Sequence, residues 1–169
     1  MSVADQLGVE EIHGLGIATV MARKGATGAA IGAALGIVPP EGPNMATANA
    51  LTMIGTGPQS WLVVKERAVP DFANALSETL KGLASVSDQS SSYIVTRLTG
   101  SDARTVLQRG APIDFHPDCF RTGSAATTMI AHIGVILWQI DDSPTYHVAT
   151  FRSYAQSFQH WLSATAAAL

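Results

Sequence analysis

"TTMIAHIGVILWQIDDSPTYHVATF", residues 127–151, is the stretch on which the fold turns. It is rich in β-branched, aliphatic and aromatic residues and is broken at Asp141-Asp142-Ser143-Pro144, residues that suit a turn between strands. No helical pattern interrupts it. Strands that follow one another this closely lack the crossover that parallel neighbours require, so they pair antiparallel.

The rest of the chain extends that pattern. "RSYAQSFQHWLSATAAAL" (152–169) reads as a terminal helix burying Tyr154, Phe158, Trp161, Leu162 and Ala166. Upstream, "SDARTVLQRG" (101–110) has Ser101 as N-cap, Asp102 in the first turn, Arg109 in the last and Gly110 past the end. "VPDFANALSETLKG" (69–82) is punctuated by Pro70, Asp71, Lys81 and Gly82, with Phe72, Leu76 and Leu80 as its buried stripe. "ASVSDQS" and "SYIVTRLTG" are strands; "MATANALTMIG" and "SWLVVKE" form a pair around the turn "TGPQ". "IHGLGIATVMAR" (12–23) is a strand and "KGATGAAIGAALG" (24–36) a helix. The order is β-α-β-β-α-β-β-α-β-β-β-α, without strict βαβ alternation. It predicts an α+β fold of largely antiparallel sheets with packed helices. The chain is expected to be one domain over residues 1–169, with two small subdomains meeting near 84–90.

Composition narrows the partners. Ten Lys and Arg against 13 Asp and Glu give no basic face for nucleic acid or an anionic membrane. One cysteine excludes an internal disulfide framework and suits a reducing cytoplasm. The start lacks the basic and apolar regions of a signal peptide. The quiet stretch "GATGAAIGAALGIV" is shorter than the roughly 20 apolar residues of a membrane span. Charged residues make up 14% of the chain, against about 25% in ordinary domains. Residues 25–64 hold only Glu41, and 123–169 only Asp141, Asp142 and Arg152. Either the many Ala, Gly, Ser and Thr account for this, or another subunit covers these regions, since interface cores are poor in charge.

Three motifs invite chemistry. The glycines at 25, 28 and 32 miss the G-x-G-x-x-G spacing, because Thr27 and Ala30 stand where glycine is needed. Gly28, Gly32 and Gly36 instead share a helix face and predict close backbone packing. Asp88 and Ser90 in "SDQSSS" are expected to satisfy backbone groups where strands end. "DFHPDCF" (114–120) places Asp114, His116, Asp118 and the sole thiol, Cys119, together. A metal site would need three or four converging ligands, and a thiol nucleophile would need His116 as its base. The competing reading is a turn fixed by Asp114, His116 and Pro117, with Phe115 and Phe120 as anchors. His13, His132, His147 and His160 are scattered and share no ligand spacing.

Four stretches together carry a family resemblance: "GPQSWL" (57–62), "SDQSSSYIVTRLTGSDARTVLQRGAPIDFHPDCF" (87–120), "GSAATT" (123–128) and "FRSYAQSFQHWL" (151–162). On these residues the chain resembles the gamma subunits of heterotetrameric sarcosine oxidase and of related complexes that oxidise N-methyl amino acids. The resemblance implies a fold similar to the folate-binding domain of aminomethyltransferases, which share the run at Asp88–Ser90 and Gly100–Ala103. It implies alpha, beta and delta partner subunits that carry FAD, FMN, NAD and tetrahydrofolate. It also implies a cytoplasmic accessory subunit with no catalytic, cofactor-binding or metal residue of its own. Where aminomethyltransferases place an acidic pair, this chain has Gly134-Val135-Ile136-Leu137-Trp138, which favours scaffolding and suggests a Leu-Trp pair filling a subunit interface. Trp138, Phe151, Arg152 and Trp161 are the expected buried or interface anchors. A free-standing folate-binding or one-carbon transfer protein of the same fold is the alternative.

Overall fold

The computed structural model describes residues 6–169. Internal contacts divide the chain into two units, His13–Ser91 and a second joining residues up to Ile12 to Ser92–Leu169. Strand β1 (Gly8–Ile12) belongs to the second unit.

The first unit runs β2 (Gly16–Ala22), α1 (Gly28–Leu35), β3 (Met45–Ala48), β4 (Leu51–Gly57), β5 (Ser60–Lys65), α2 (Phe72–Thr79) and β6 (Ala84–Asp88). Its strands form one antiparallel sheet in the order β3-β4-β5-β2-β6. Phe72, Leu76 and Leu80 pack with Ala18, Val20, Met53, Trp61 and Val63, so the four-residue stripe of α2 is the face that closes the core. The helix predicted from Lys24 begins only at Gly28, because the Thr27 side chain caps it by accepting from the Ala30 N–H at 3.2 Å. Of its three spaced glycines, Gly32 makes the close approach. A Cβ there would stand 2.5 Å from the Ile37 carbonyl and from Pro39, where the chain folds back. The strand predicted over 45–55 is two strands, turned at Asn49 and Ala50, which both adopt positive φ (53° and 60°).

The second unit adds β7 (Tyr93–Thr99), α3 (Ala103–Gln108), β8 (Ala125–Ile130), β9 (Ile133–Asp141), β10 (Thr145–Phe151) and α4 (Ala155–Ala166), with a 3-10 turn at Arg152–Tyr154. Its sheet is again antiparallel, in the order β1-β7-β10-β9-β8. The opening stretch is thus the hairpin-linked half of this sheet. Ala131 and His132, both at positive φ, make the two-residue turn between β8 and β9. One face packs Leu98, Val135, Leu137, Tyr146 and Val148 against Val106 and Leu107 of α3 and Phe158 and Leu162 of α4. The other face buries Val95, Ile136, Trp138 and Ala149 as well, which is why β9 and β10 read as nearly continuous apolar runs. Gly110 does more than end α3: a Cβ there would lie 2.4 Å from the Trp161 ring, so the glycine admits α4.

Candidate functional site

The loop at 114–120 begins with Asp114, whose Oδ1 accepts from the His116 N–H at 2.8 Å. The His116 carbonyl accepts from the N–H groups of Cys119 and Phe120, both at 2.8 Å, closing a tight turn across Pro117. His116 Nδ1 accepts from the Asp118 N–H at 3.3 Å, and also stands 3.5 Å from the Asp118 carboxylate. The first contact uses a neutral imidazole and the second a protonated one; both side chains are solvated, so the ion pair contributes little. Beneath the turn, Phe115 and Phe120 are buried against each other and against Tyr146, with ring centroids 5.2 to 6.3 Å apart. The polar side chains therefore face water while the aromatic ones hold the loop to its core.

The thiol is not activated. Cys119 is exposed, and its pKa is raised by a hydrogen bond to Asp114, by the negative charge of Asp114, by desolvation and by Asp118. The same geometry holds the Asp114 carboxyl below its usual range, through the His116 N–H and then the Cys119 side chain. A nucleophilic cysteine needs the reverse, a cationic surrounding that favours thiolate. Among the described residues, no three His, Cys, Asp or Glu side chains converge as a metal site requires.

Asp88 and Ser90 form a clamp within the first unit. Asp88 Oδ1 accepts from the Ser90 N–H at 2.9 Å, and Ser90 Oγ accepts from the Ile17 N–H at 3.0 Å and faces the Ile17 carbonyl at 3.3 Å. The Gln89 N–H donates to that same carbonyl at 2.7 Å. The Asp-x-Ser run thereby continues the pairing of β6 with β2 past the end of the strand. Its hydrogen bonds lower the Asp88 pKa, the Ser90 backbone contributing most.

The expected anchors separate into two kinds. Trp138 is 1% exposed and Leu137 fully buried, so this pair fills the chain's own interior. Trp161 is half-buried against the core, its ring tilted against Phe158 with centroids 5.8 Å apart. Phe151 is 46% exposed, lying on Tyr93 at 4.7 Å, and Arg152 beside it is also exposed, with its backbone N–H bonded to the Ser92 carbonyl. Tyr154, at the end of the 3-10 turn that follows, is exposed too.

A cluster that the linear pattern did not reveal crosses the second sheet. Register places Glu10 opposite Arg97, Arg97 opposite His147, His147 opposite Trp138 and Trp138 opposite Ala125, one residue from each of the five strands. Arg97 donates from Nη1 to Glu10 Oε2 and from Nε to His147 Nε2, each at 3.1 Å. The Trp138 ring meets the imidazole edge to face at 5.5 Å. Burial and then the Arg97 charge push the His147 pKa down to about 4, against the opposing pull of Asp141. A cavity of about 350 Å³ opens elsewhere in this unit, lined by Leu7, Val9, Asp102 and Leu162 among others. None of the candidate site residues lines it.

Comparison with known proteins finds the same overall fold. Among solved structures, a chain of the heterotetrameric sarcosine oxidase from Corynebacterium sp. U-96, in complex with pyrrole 2-carboxylate, superposes with a TM-score of 0.85. The match has 27% identity and covers 95% of this chain and 84% of that one. The glycine cleavage system aminomethyltransferase T from Bartonella henselae has the same fold, with a TM-score of 0.67 at 11% identity over 93% of this chain and 45% of that one. The sarcosine oxidase subunit gamma of Corynebacterium sp. (strain U-96) is 31% identical over 146 residues, 82% of this chain and 68% of that protein. Its counterpart in strain P-1 is 26% identical over 96% of this chain and 75% of that protein. Residues 20–168 match the family model described as sarcosine oxidase, gamma subunit family. The chain belongs to the sarcosine oxidase gamma subunit family.

Proposed function

We propose that this chain is the gamma subunit of a heterotetrameric sarcosine-oxidase-type complex and acts in its assembly, without an active site of its own. The observation that carries this reading is the superposition of 95% of the chain on a chain of a heterotetrameric sarcosine oxidase. The site geometry supports it. Asp88, Ser90, Asp114 and His116 are engaged with backbone, and Cys119 is held as a thiol. In this reading alpha, beta and delta subunits carry FAD, FMN, NAD and tetrahydrofolate, and the complex works in the cytoplasm, oxidising sarcosine or a related N-methyl amine. No described helix is long and apolar enough to cross a membrane.

Phe151 and Arg152 are the residues we assign to the partner surface, because they are exposed and of the types that dominate interface energetics. Co-expression with alpha, beta and delta subunits tests the assembly. The chain should co-purify in equal stoichiometry, and a chain that elutes alone in their presence would overturn the reading. Phe151→Asp should weaken capture by about 2 kcal/mol, roughly thirtyfold, while the melting temperature of the isolated chain stays within a few degrees. Calorimetric titration of the isolated chain with tetrahydrofolate should give no heat of binding.

A further inference from the structure

We propose that Glu10, Arg97 and His147 form a positioning device that fastens the edge strand β1 to its sheet, with the attachment following the protonation state of one buried imidazole. Strand β1 needs such a device. It has five residues, pairs among the described residues only with β7, and leaves Val9, Glu10 and Glu11 exposed. An edge strand held by one ladder opens easily. An exposed Arg–Glu contact alone would add little to it.

The difference lies in how Arg97 is held. Its guanidinium is a planar fork with donors in fixed directions. Nη1 reaches Glu10 on one side while Nε reaches His147 Nε2 on the other, and all three residues occupy facing register positions. The Arg97 side chain is only 33% exposed and His147 only 8%. Trp138, from the strand on the other side of β10, packs edge to face against the imidazole at 5.5 Å. Nε2 can accept from Arg97 only while it carries no proton, which places the single proton of the neutral ring on Nδ1. The fork is thus aimed at β1 by a neutral histidine.

Protonation reverses this. A proton on Nε2 would set two donors and two positive charges 3.1 Å apart. Arg97 would have to swing out, and its bond to Glu10 would go with it. The charged groups acting on the imidazole are Arg97 from β7, which opposes the proton, and Asp141 at the end of β9, which favours it. Glu10 of β1 acts one bond further out, through Arg97.

Hydrogen exchange followed by mass spectrometry on the full chain tests the device. Peptides spanning β1 are compared with those spanning β9, with rates corrected for intrinsic pH dependence. Lowering the pH from 7 to 4.5 should accelerate β1 exchange by about tenfold more than β9 exchange. His147→Gln keeps a neutral acceptor that cannot take a proton and should abolish that selective loosening. Glu10→Gln and Arg97→Ala should loosen β1 at pH 7 without acid. Glu10 lies on the exposed edge, so its variant keeps the test open if Arg97→Ala does not fold. Acid loosening of equal size in His147→Gln, or β1 as protected in Glu10→Gln as in the parent chain, would overturn the proposal.

Discussion

Two groups of ionisable side chains in the second unit are built on opposite plans. In the 114–120 loop, Asp114, His116, Asp118 and Cys119 are neighbours in the chain and open to water; Asp114 and His116 accept from neighbouring backbone N–H groups, and Asp114 also bonds the Cys119 side chain. In the transverse row, Glu10, Arg97, His147 and Trp138 come from four different strands and meet side chain to side chain, partly out of solvent. The loop looks reactive and holds its thiol unreactive. The row looks like four unrelated residues and carries the most strongly displaced imidazole. Proximity along the chain makes turns; register and burial make the environment in which a charge state is costly to change.

The sharpest way to break this contrast is to remove the wall of the row. Trp138→Ala should cost about 3–5 kcal/mol of stability, because the indole is wholly enclosed and the sheet cannot collapse into its place. Urea denaturation would show it as a lower midpoint at unchanged slope. A loss under about 1 kcal/mol would mean that the row is solvated, contrary to its burial.

Acid should separate the two regions by pH window. An unfolded imidazole takes its proton near pH 6.5, whereas His147 in the folded chain takes it near 4. Between those values the unfolded state binds more protons, so stability falls as the pH drops. The contribution is fully present above 6.5 and lost by about 4. A gap of this size corresponds to about 3 kcal/mol. The carboxyl of Asp114 is also depressed, so its contribution is present above the ordinary carboxylate range and goes only below it. Stability curves at pH 7, 5.5 and 4.5 should therefore fall in the parent chain and flatten in His147→Gln. A parallel fall in both would dissociate the pH dependence from the row.

Ser90 offers an intermediate case, near Asp88 in sequence yet bonded to Ile17 on a strand far upstream. Ser90→Ala would leave the Ile17 N–H without its side-chain partner in a residue that is almost fully buried. The expected loss is about 1–3 kcal/mol, read by thermal or chemical denaturation. Exchange at the Ile17 amide should rise with it.

How much of this was visible beforehand follows from the same distinction. The local grammar was legible: Pro70 to Gly82 framed α2, and Asp141 to Pro144 marked the turn between β9 and β10. What depended on distant partners was not. "GVEEI" carries two adjacent glutamates and has no alternating pattern to mark it; it is a strand because β7 pairs with it. Ala50 holds positive φ, which alanine does not signal, with Asn49 before it as the lone turn-favouring residue. Gly110 passes for a helix stop until Trp161 is seen against it. The row itself requires three registers at once, and no spacing along the chain encodes them. The family motifs, by contrast, lie in contiguous loops and strand ends, which is why kinship was easier to recognise than the internal chemistry.

The smallest expected effect is the one that tests the loop most directly. Cys119→Ser should leave melting temperature and assembly unchanged, since the side chain is exposed and packs into no core cluster. The thiol itself should react slowly with iodoacetamide at pH 7.5, because the thiolate is the nucleophile and the carboxylates of Asp114 and Asp118 disfavour it. Asp114→Asn removes the largest of those influences and should speed alkylation several-fold at the same pH. A parent thiol that alkylates as fast as free cysteine, unaffected by Asp114→Asn, would show that the loop does not control it. The reactive appearance of "DFHPDCF" would then have to be taken at face value, and the contrast with the buried row would fail at its exposed end.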